Sequence, residues 1–271
     1  MNEMIKVCIL GCGRMGKEII KECVNEGFEI VAAVDAPDNP INGKDAGLIS
    51  GIGKLGVMVS SASNLEKIIE KSKPDVVIDF TNAEASFWNS KVIFQKGINM
   101  VIGTTGFSDE QIREIRRYIK RYNAGAVISP NMSIGVNVFW NLIEMATKLL
   151  KDYDIEIIES HHRFKRDAPS GTALKTAEII ADILNENLDD MGIFGRKGIS
   201  ERRKGELGIH AIRAGDIVGE HTVLYATIGE RIEIIHRAHS RMAFVKGVIK
   251  AVKFIRKRKG IYDMKDVLGI E

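Results

Sequence analysis

The chain of 271 residues is long enough for one large or two ordinary domains, and its 39 Lys and Arg against 36 Asp and Glu leave a net charge of +3. So small an excess argues against nucleic acid or an anionic membrane as the main partner. No apolar run approaches the roughly 20 residues that span a bilayer, no signal peptide precedes the first predicted strand, and Cys8, Cys12 and Cys23 include no CxxC pair. These features predict a soluble cytoplasmic protein without a disulfide framework or a zinc site.

The N-terminal stretch has the order strand, glycine turn, helix, strand. Ile5 to Leu10 is a short apolar run typical of a buried parallel strand, and it ends at Gly11-Cys12-Gly13-Arg14-Met15-Gly16. Apolar residues at helical spacing follow and stop at Gly27. A second strand, Phe28 to Val34, ends at Asp35, about 20 residues beyond the glycines, as a dinucleotide-binding fold requires.

Each glycine of this turn has a specific use if a dinucleotide binds there. Gly11 permits the tight turn, Gly13 lets backbone N–H groups approach a pyrophosphate, and Gly16 lets the helix pack close to the strand. The helix N-terminus then presents unpaired N–H donors to the phosphates, and Asp35 accepts hydrogen bonds from the adenine-ribose hydroxyls. An ordinary glycine-rich turn is the alternative, but the strand, the helix and the acid in register favour cofactor binding.

Helices and strands alternate again after a loop. Residues 36–56 carry two prolines and five glycines without clear periodicity, which predicts a mobile loop. Repeated βα units after it predict a parallel sheet with right-handed crossovers. These elements are a short helix around Leu65, Ile68 and Ile69, a strand from Asp75 to Phe80, a helix from Ala83 to Lys96, a strand from Asn99 to Ile102, a helix from a Ser108–Gln111 capping box to Tyr122, and a strand from Ala126 to Ser129.

Small or hydrogen-bonding residues follow the C-terminal ends of these strands, where the ligands of such sheets bind. They are Phe80-Thr81, Gly103-Thr104-Thr105-Gly106 and Ser129-Pro130-Asn131-Met132. A nicotinamide and its ribose require groups of this kind. Turns at strand ends require them too, so the pattern leaves both interpretations open.

The second half of the chain begins with a helix and then presents a polar loop between a strand and a helix. The strand runs from Asp154 to Ser160, and the amphipathic helix after the loop runs from Ala173 to Leu184. The first helix has Asn131 or Ser133 near its N-cap. Its predicted apolar face consists of Val138, Phe139, Leu142, Met145, Ala146 and Leu149.

The polar segment Glu159 to Thr172 combines two histidines with cationic and hydroxyl side chains. Ser170-Gly171-Thr172 opens the helix, so hydroxyls and backbone N–H groups face an anion placed there, and Lys165 adds a full charge. His161 and His162 point in opposite directions in an extended chain, and a histidine near its ordinary pKa suits proton transfer. A polar histidine pair at a strand end is the alternative, but the adjacent lysine and helix start favour a site for a small substrate with carboxylates.

Three further strands are predicted, from Ile209 to Arg213, from His221 to Ile228 and from Arg231 to His239. Gly229-Glu230 between the last two suits a type II′ hairpin, so this β region is partly antiparallel. Its histidines lack the tight spacing of a metal site, and no metal is predicted. These are His210, His221, His236 and His239.

Two remaining segments have less specific patterns. Arg213-Ala214-Gly215-Asp216 could reach a ligand or contact another subunit, and the sequence does not separate these uses. Met242 to Ile255 is predicted to be helical, and the basic run Arg256-Lys257-Arg258-Lys259 is predicted to be a solvated face.

Assembled, these blocks resemble the dihydrodipicolinate reductase family, also called 4-hydroxy-tetrahydrodipicolinate reductases. The most specific block is Glu159 to Ala173, which is close to the family pattern E-x-H-H-x-x-K-x-D-A-P-S-G-T-A. The resemblance spans nearly the whole chain. The other blocks are Gly11 to Gly16, Val101 to Gly106, Asn131 to Asn137 and Arg213 to His221.

The resemblance implies that NADH or NADPH transfers a hydride to a cyclic unsaturated dicarboxylate, giving tetrahydrodipicolinate in lysine and diaminopimelate biosynthesis. It implies acid–base roles for His161 and Lys165. It implies that His162, Gly171 and Thr172 bind the substrate, next to Ser170 of the predicted anion site. Implied contacts with the cofactor are Gly11, Cys12, Gly13, Arg14, Met15, Gly16, Asp35, Gly103, Thr104, Thr105, Ser129, Pro130, Asn131 and Met132.

The architecture expected from the pattern and the resemblance is α/β with two domains. Residues 1–130 with 241–271 form a dinucleotide-binding domain with a Rossmann-type parallel sheet. Residues 131–240 form a second α+β domain with a mixed open sheet that binds substrate and mediates a homotetramer. Hydride transfer would then depend on the two domains closing together.

Two residues depart from the family pattern. Ala36 follows Asp35 where many members have an arginine for the NADPH phosphate, and an acidic residue repels that phosphate. NADH is therefore favoured, although Arg14 and Lys44 could still serve NADPH. Ala83 stands where a proline is expected, a difference confined to that local turn.

Two other functions are compatible with parts of the pattern. One is a different two-domain Rossmann oxidoreductase, such as an amino-acid dehydrogenase, acting on another carbonyl or imine. The other is a catalytically silent dinucleotide-binding regulator. The set of His161, His162, Lys165, Ser170 and Thr172 argues against silence, because a pure sensor has no need of a proton donor.

Overall fold

A computed structural model describes residues 4–270, which form two compact units. The first unit contains the described residues up to Ile134 and those from Phe244 onward, and the second contains residues 135–243. Each unit has its own sheet and its own cluster of buried apolar side chains. The predicted fold class, α/β with an N-terminal parallel sheet and a second domain with a mixed sheet, is confirmed.

The strands of the described chain are, in order, β1 (Lys6–Leu10), β2 (Glu29–Asp35), β3 (Val59–Ser61), β4 (Val76–Asp79), β5 (Asn99–Ile102), β6 (Gly125–Ile128), β7 (Asp154–His161), β8 (Gly192–Phe194), β9 (Leu207–Arg213), β10 (Gly219–Thr227), β11 (Glu230–Ala238) and β12 (Gly260–Tyr262). The α-helices are α1 (Arg14–Asn25), α2 (Ala46–Ile49), α3 (Leu65–Ser72), α4 (Ala83–Gln95), α5 (Asp109–Arg121), α6 (Ile134–Leu149), α7 (Gly171–Leu184), α8 (Leu188–Met191), α9 (Met242–Ile255) and α10 (Met264–Leu268). Among the helices of residues 4–270, none combines the length and the apolar character needed to cross a membrane.

The sheet of the first unit is parallel throughout, with the strand order β12-β6-β5-β4-β1-β2-β3. Val7 to Leu10 in β1 are at most 1 % exposed, because both faces of the strand are covered, and this explains the continuous apolar run in the sequence. From β1 the chain proceeds outward on one side to β3 and then on the other to β6. The turn after β1 therefore lies where the strand order reverses, which is the usual ligand position in such sheets.

The loop predicted for residues 36–56 has more organisation than its composition indicated. It contains the one-turn helix α2, and the Asp45 carboxylate accepts hydrogen bonds of 2.7–3.1 Å from the backbone N–H groups of Gly47, Leu48, Leu55 and Gly56. These bonds, of which the one from Leu55 lowers the pKa most, outweigh burial and hold the pKa of Asp45 below its usual range. The Asp45 carboxylate thus orders the backbone of residues 45–56, which show no periodicity in the sequence.

The sheet of the second unit has the order β11-β10-β7-β9-β8 and is mixed, as predicted. The pairs β11–β10 and β10–β7 are antiparallel, whereas β7–β9 and β9–β8 are parallel. Helices α6 and α7 pack on one face and bury residues such as Ile157, Val223 and Tyr225. None of the described helices contributes to a buried cluster on the other face, where Ile212 is 45 % and Ile235 43 % exposed.

The predicted apolar face of α6 is wrong for most of its members. Val138, Leu142, Met145 and Leu149 are exposed, and among the predicted residues Phe139 is fully buried. The buried side also contains polar residues whose hydrogen bonds are satisfied, such as Thr147, whose hydroxyl lies 2.7 Å from that of Tyr225. The helix therefore carries apolar residues on two sides, and periodicity alone selects the wrong one.

The turn between β10 and β11 lies one residue earlier than predicted. Thr227 pairs with Glu230, so the two turn residues are Ile228 and Gly229. Gly229 has φ +98° at the second turn position, whereas a type II′ turn requires positive φ at the first. The predicted type II′ turn at Gly229-Glu230 is therefore wrong.

Candidate active site

Two glycines of the turn after β1 are required by close backbone packing. A Cβ on Gly11, which has φ +85°, would lie 2.4 Å from the carbonyl oxygen of Phe80. A Cβ on Gly16 would lie 1.9 Å from the carbonyl oxygen of Gly11. No side chain fits at these distances, so the turn and the start of α1 can adopt this geometry only with glycine.

Gly13 differs because a Cβ there would meet no atom of the described residues within 4 Å. The first helical hydrogen bond of α1 runs from the N–H of Lys17 to the carbonyl of Gly13 at 3.0 Å, so the N–H groups before it have no acceptor within the helix. Within the described chain no side chain caps this end, and its first turn has no acidic residue. Open space, unpaired donors and the positive end of a helix dipole together fit the pyrophosphate of a dinucleotide.

Asp35 connects the end of β2 to this turn. One carboxylate oxygen accepts a hydrogen bond from the N–H of Cys12 at 2.6 Å, and the other accepts from the N–H of Ala36 at 2.7 Å and from the side chain of Asn39 at 2.8 Å. The carboxylate is part-exposed and retains lone pairs for ribose hydroxyls. Asn39 was not identified from the sequence, since an isolated asparagine in a loop carries no distinguishing pattern.

The strand ends after β4, β5 and β6 present mainly backbone, because several of their polar side chains are turned inward. Thr104 is buried, and its hydroxyl donates to the Asp79 carboxylate at 3.0 Å while accepting from the N–H of Thr81. Burial raises the pKa of the fully buried Asp79, and hydrogen bonds from Thr81, Asn89 and Thr104 partly offset that effect. Ser129 is also buried, with its hydroxyl on the carbonyl of Asn131 at 2.9 Å.

The cofactor-contact residues expected from the sequence lie at or after the ends of β1, β2, β5 and β6, and the C-terminal ends of these strands share one edge of the parallel sheet. Among them Gly13, Arg14, Thr105 and Pro130 are exposed, whereas Cys12, Gly16, Thr104, Ser129 and Met132 are buried. Burial raises the pKa of the Cys12 thiol to about 12, so this thiol is not a nucleophile at neutral pH.

In the second unit, Glu159 near the end of β7 is fully buried and receives four hydrogen bonds. Arg213 of β9 binds it with two nitrogens, at 2.9 and 2.7 Å, and the N–H of Ser170 donates at 3.0 Å. The fourth contact joins it to Nδ1 of His161 at 2.5 Å. Burial alone would raise the pKa of Glu159, but the Arg213 guanidinium, His161 and the Ser170 N–H outweigh it and hold the pKa below its usual range.

His161 lies at the end of β7 with its side chain on the helix-covered face of the sheet. The residue is 9 % exposed, and burial lowers the pKa of its imidazole despite the opposing influence of Glu159. Nε2 lies beside Gly219, where a Cβ would be only 3.1 Å away. The ring therefore has one nitrogen on a carboxylate and the other next to a residue that lacks a side chain.

Ser170 and His221 form the wall beside His161. The Ser170 hydroxyl caps α7 by accepting from the N–H of Ala173 at 3.2 Å, and it lies 3.2 Å from Nε2 of His221. Burial lowers the pKa of His221 to about 3, so its ring is neutral and Nε2 can accept from the hydroxyl. The His161 and His221 rings meet edge to face at 5.3 Å between centroids.

The loop between β7 and α7 is held by the chain that follows β9. The carbonyl of His161 accepts from the N–H of Ala214 at 2.9 Å, and the N–H of Arg163 donates to the carbonyl of Gly215 at 3.1 Å. Lys165 lies in this loop with its Nζ 2.9 Å from the carboxylate of Asp167, and its side chain is 21 % exposed. Within the described chain, residues 213–216 contact the histidine loop, and the two uses left open for them, a ligand contact and a subunit contact, stay predictions.

The structure thus gathers His161, His162, Lys165 and the start of α7 into one strand-to-helix segment. A Cβ on Gly171 would meet no described atom within 4 Å, so the space beside this helix start is open, as it is at Gly13. Glu159, Arg213 and His221 were not assigned as site residues from the sequence. Glu159 could have been found, because residues two apart in a strand share a face, whereas Arg213 comes from a neighbouring strand.

Comparison with known proteins gives matches over nearly the whole chain. The sequence profile described as dihydrodipicolinate reductase, N-terminus, matches residues 5–132, and that described as dihydrodipicolinate reductase, C-terminus, matches residues 135–268. The 4-hydroxy-tetrahydrodipicolinate reductase of Methanocaldococcus jannaschii is 52 % identical over 98 % of both chains. That of Methanothermobacter thermautotrophicus is 48 % identical over 98 % of this chain and 100 % of its own.

Solved structures agree with these matches. The dipicolinate-bound dihydrodipicolinate reductase from Paenisporosarcina sp. TG-14 superposes with a TM-score of 0.78 at 28 % identity, covering 99 % of this chain and 100 % of its own. An amine dehydrogenase from Mycobacterium smegmatis superposes with a TM-score of 0.61 at 16 % identity over 96 % of this chain and 95 % of its own, a likeness of fold alone.

Proposed function

Because this chain belongs to the dihydrodipicolinate reductase family and is a 4-hydroxy-tetrahydrodipicolinate reductase, we propose that His161 and Lys165 carry the acid–base step of its reaction. The enzyme reduces its cyclic substrate to tetrahydrodipicolinate in lysine and diaminopimelate biosynthesis. When bound, NADH or NADPH supplies the hydride. The observation that carries the proposal is the His161 ring, anchored through Nδ1 on Glu159 at 2.5 Å in the same segment as Lys165.

Hydride addition to an unsaturated ring leaves an electron pair that a proton must neutralise. A protonated imidazole of His161 can release that proton from Nε2, and the ammonium group of Lys165 is a second donor in the same loop. The lowered pKa of His161 favours proton release. Asp167, 2.9 Å from the Lys165 ammonium, holds the lysine side chain in this loop.

We propose that the substrate carboxylates bind at the start of α7 and to nearby cations. Support comes from the open space beside Gly171, the positive end of the α7 dipole, and the side chains of His162 and Lys165. The Paenisporosarcina relative is described as dipicolinate bound, and dipicolinate is a dicarboxylate. Gly171 and Thr172 would act through backbone and hydroxyl donors, whereas Ser170, with its hydroxyl on His221 and the N–H of Ala173, would act by fixing this helix start.

For the cofactor we propose NADH as the preferred donor within the NAD(P)H-dependent family. The glycine turn, the C-terminal ends of β5 and β6 and Asp35 would hold it. Asp35 is an acid beside Ala36, so a 2′-phosphate would meet negative charge rather than an arginine. Arg14 and Lys44, which are both exposed, are the cations that could offset this for NADPH.

For assembly and location we propose a homotetramer that works in the cytoplasm. The face of the second sheet opposite α6 and α7 carries exposed Ile212 and Ile235, and burying such a face in a subunit contact is favourable. Three unpaired buried cysteines, Cys8, Cys12 and Cys23, suit a reducing compartment.

The reaction can be tested with aspartate semialdehyde, pyruvate and the condensing enzyme that makes the substrate. Addition of this chain and NADH should then cause loss of absorbance at the nicotinamide band. His161→Ala should retain NADH binding but lose most of that activity. A fully active His161→Ala enzyme would remove His161 from the acid–base step.

A further inference from the structure

The Glu159 carboxylate has donors on both of its oxygens, and each donor comes from a different part of the second unit. One oxygen receives the Arg213 guanidinium at 2.9 Å and His161 Nδ1 at 2.5 Å. The other receives the same guanidinium at 2.7 Å and the N–H of Ser170 at 3.0 Å. Strand β7, strand β9 and the start of α7 therefore converge on one fully buried acid.

Charge balance determines whether Glu159 or His161 carries the hydrogen that lies between them. A buried carboxylate requires a compensating cation, and the bidentate Arg213 provides it without a charge on the imidazole. An ionised carboxylate only accepts hydrogen bonds, so Nδ1 of His161 must carry a hydrogen. In the neutral ring the hydrogen is then on Nδ1, and Nε2 is the basic atom.

We propose that Glu159 and Arg213 act as a positioning pair that fixes the Nδ1–H tautomer and the orientation of His161, leaving Nε2 beside Gly219 as the atom that exchanges a proton with the substrate. This rests on the proposed acid–base role of His161. Before the step, Nε2 takes up a proton from water, which converts the neutral ring to imidazolium. In the step itself the Nε2–H bond breaks and the proton joins the electron pair on the reduced ring, which returns the neutral ring with its Nδ1–H still donated to Glu159. Arg213 keeps Glu159 ionised throughout.

The groups that face the His161 ring come from several elements. They are Glu159 on its own strand, Arg213 from β9, His221 from β10 and Lys165 from the following loop. His221 is neutral above a pH of about 3, because burial lowers its pKa to that value. Glu159 and Arg213 are therefore the opposed charges whose removal should move the titration of His161 in opposite directions.

A second Glu–His–Arg cluster on the same strand provides a matched control. Glu156 accepts from Nε2 of His210 at 2.7 Å and pairs with the Arg202 guanidinium. Its position on β7 places it on the opposite face from Glu159, and its side chain is 21 % exposed. It has the same residue types as the Glu159 cluster but does not contact His161, Ser170 or the following loop.

The tautomer can be measured by NMR on protein labelled with ¹⁵N-histidine, with the His161 signals assigned from His161→Gln. In Glu159→Gln, the amide oxygen of the glutamine accepts from Ser170 and Arg213 in place of the carboxylate. The NH₂ group of the glutamine then faces Nδ1 of His161, so the ring hydrogen of His161 should move from Nδ1 to Nε2. The pKa of His161 should fall, and kcat should drop about 100-fold, within the usual contribution of acid–base catalysis. Glu156→Gln should leave the His161 signals unchanged.

Arg213→Gln removes a positive charge beside His161, whereas Glu159→Gln removes a negative one. It is a separate test that does not depend on how well Glu159→Gln folds. It leaves the Glu159 charge uncompensated, so the pKa of His161 and the matching limb of the kcat–pH profile should move upward. An unchanged His161 tautomer in Glu159→Gln, or shifts of the same sign in both variants, would overturn the positioning pair. A switched tautomer in Glu159→Gln together with full activity in His161→Ala would instead support the positioning pair and reject the acid–base role of His161.

Discussion

Gly16 packs so closely on Gly11 that a Cβ added to Gly16 would lie 1.9 Å from the carbonyl oxygen of Gly11. The first turn of α1 therefore packs directly on the backbone of the turn that precedes it. This contact brings the N-terminus of α1 to the end of β1, an inner strand of the parallel sheet. Gly13, between these two glycines, faces open space. The same short sequence therefore contains positions required for folding and a position available for a ligand.

Gly16→Ala and Gly13→Ala should separate these two uses. We expect Gly16→Ala to lower stability by about 1–3 kcal/mol, the usual range for an overpacked site, which a thermal melt would detect. Gly13→Ala should keep nearly the same melting temperature. Its NADH affinity should fall about tenfold or more, equivalent to roughly 1.4 kcal/mol, because the methyl group occupies the space expected for the pyrophosphate. Unchanged NADH affinity in Gly13→Ala, measured by titration calorimetry, would contradict that placement of the phosphates.

The glycine turn was predictable because two short apolar strands and a periodic helix surround it, and each of these signals is local. The three-residue strands β3, β8 and β12 were missed, since three residues are too few to show a period of two. Arg213 was named only as the end of a strand and the start of a loop, because its pairing with Glu159 depends on β9 lying beside β7. The prediction of the buried face of α6 was wrong because Val138 and Ile143 are both apolar, and only packing in the folded core determines that Ile143 is the buried one.

Lys165→Ala should reduce kcat by about 10²- to 10⁴-fold, the usual contribution of a positioned proton donor. NADH affinity should change little, because the cofactor contacts expected from the sequence lie in the other unit. Lys175→Ala is a matched control, since Lys175 is a half-buried lysine of α7 that pairs with Glu178 at 3.1 Å. Steady-state kinetics with both substrates would test this, and equal kcat values for the two variants would remove Lys165 from the mechanism.

Ala36→Arg should raise kcat/KM with NADPH relative to NADH. The new guanidinium would lie next to Asp35 and could bind the 2′-phosphate, and a charge-assisted hydrogen bond of this kind contributes about 1.5–3 kcal/mol, roughly tenfold or more. The unmodified enzyme should prefer NADH. A preference for NADPH in the unmodified enzyme would show that another cation, such as Arg14, already compensates the Asp35 charge.

Ile212→Lys combined with Ile235→Lys should shift the protein from tetramer to smaller species in sedimentation velocity experiments. Both residues lie on the open face of the mixed sheet, and a buried lysine without a partner opposes association. Leu149→Lys is the control, since Leu149 is 78 % exposed on α6, on the other side of that sheet. If Leu149→Lys dissociates the assembly and the double variant does not, the subunit contact involves α6 instead.

His221 should make the unfolding free energy depend on pH between about 6.5 and 3. Its pKa falls from an ordinary 6.5 to about 3 in the folded protein, because its ring is buried against His161 and Ser170. The folded state therefore binds fewer protons than the unfolded state in this window. Stability is fully present above pH 6.5 and is lost as the pH falls, by at most about 5 kcal/mol for such a shift.

His221→Gln should flatten this dependence, because glutamine does not titrate but can still accept a hydrogen bond from Ser170. Urea unfolding at pH 7.5 and pH 4.5 would measure it as a smaller loss of stability on acidification than in the unmodified chain. Other groups, including Asp45 and Glu159 with lowered pKa values, lose stability at lower pH in both proteins and cancel in the comparison. An equal loss of stability in both proteins would mean that the His221 ring is solvated in the folded protein. The assignment of a neutral, buried His221 beside His161 would then be wrong.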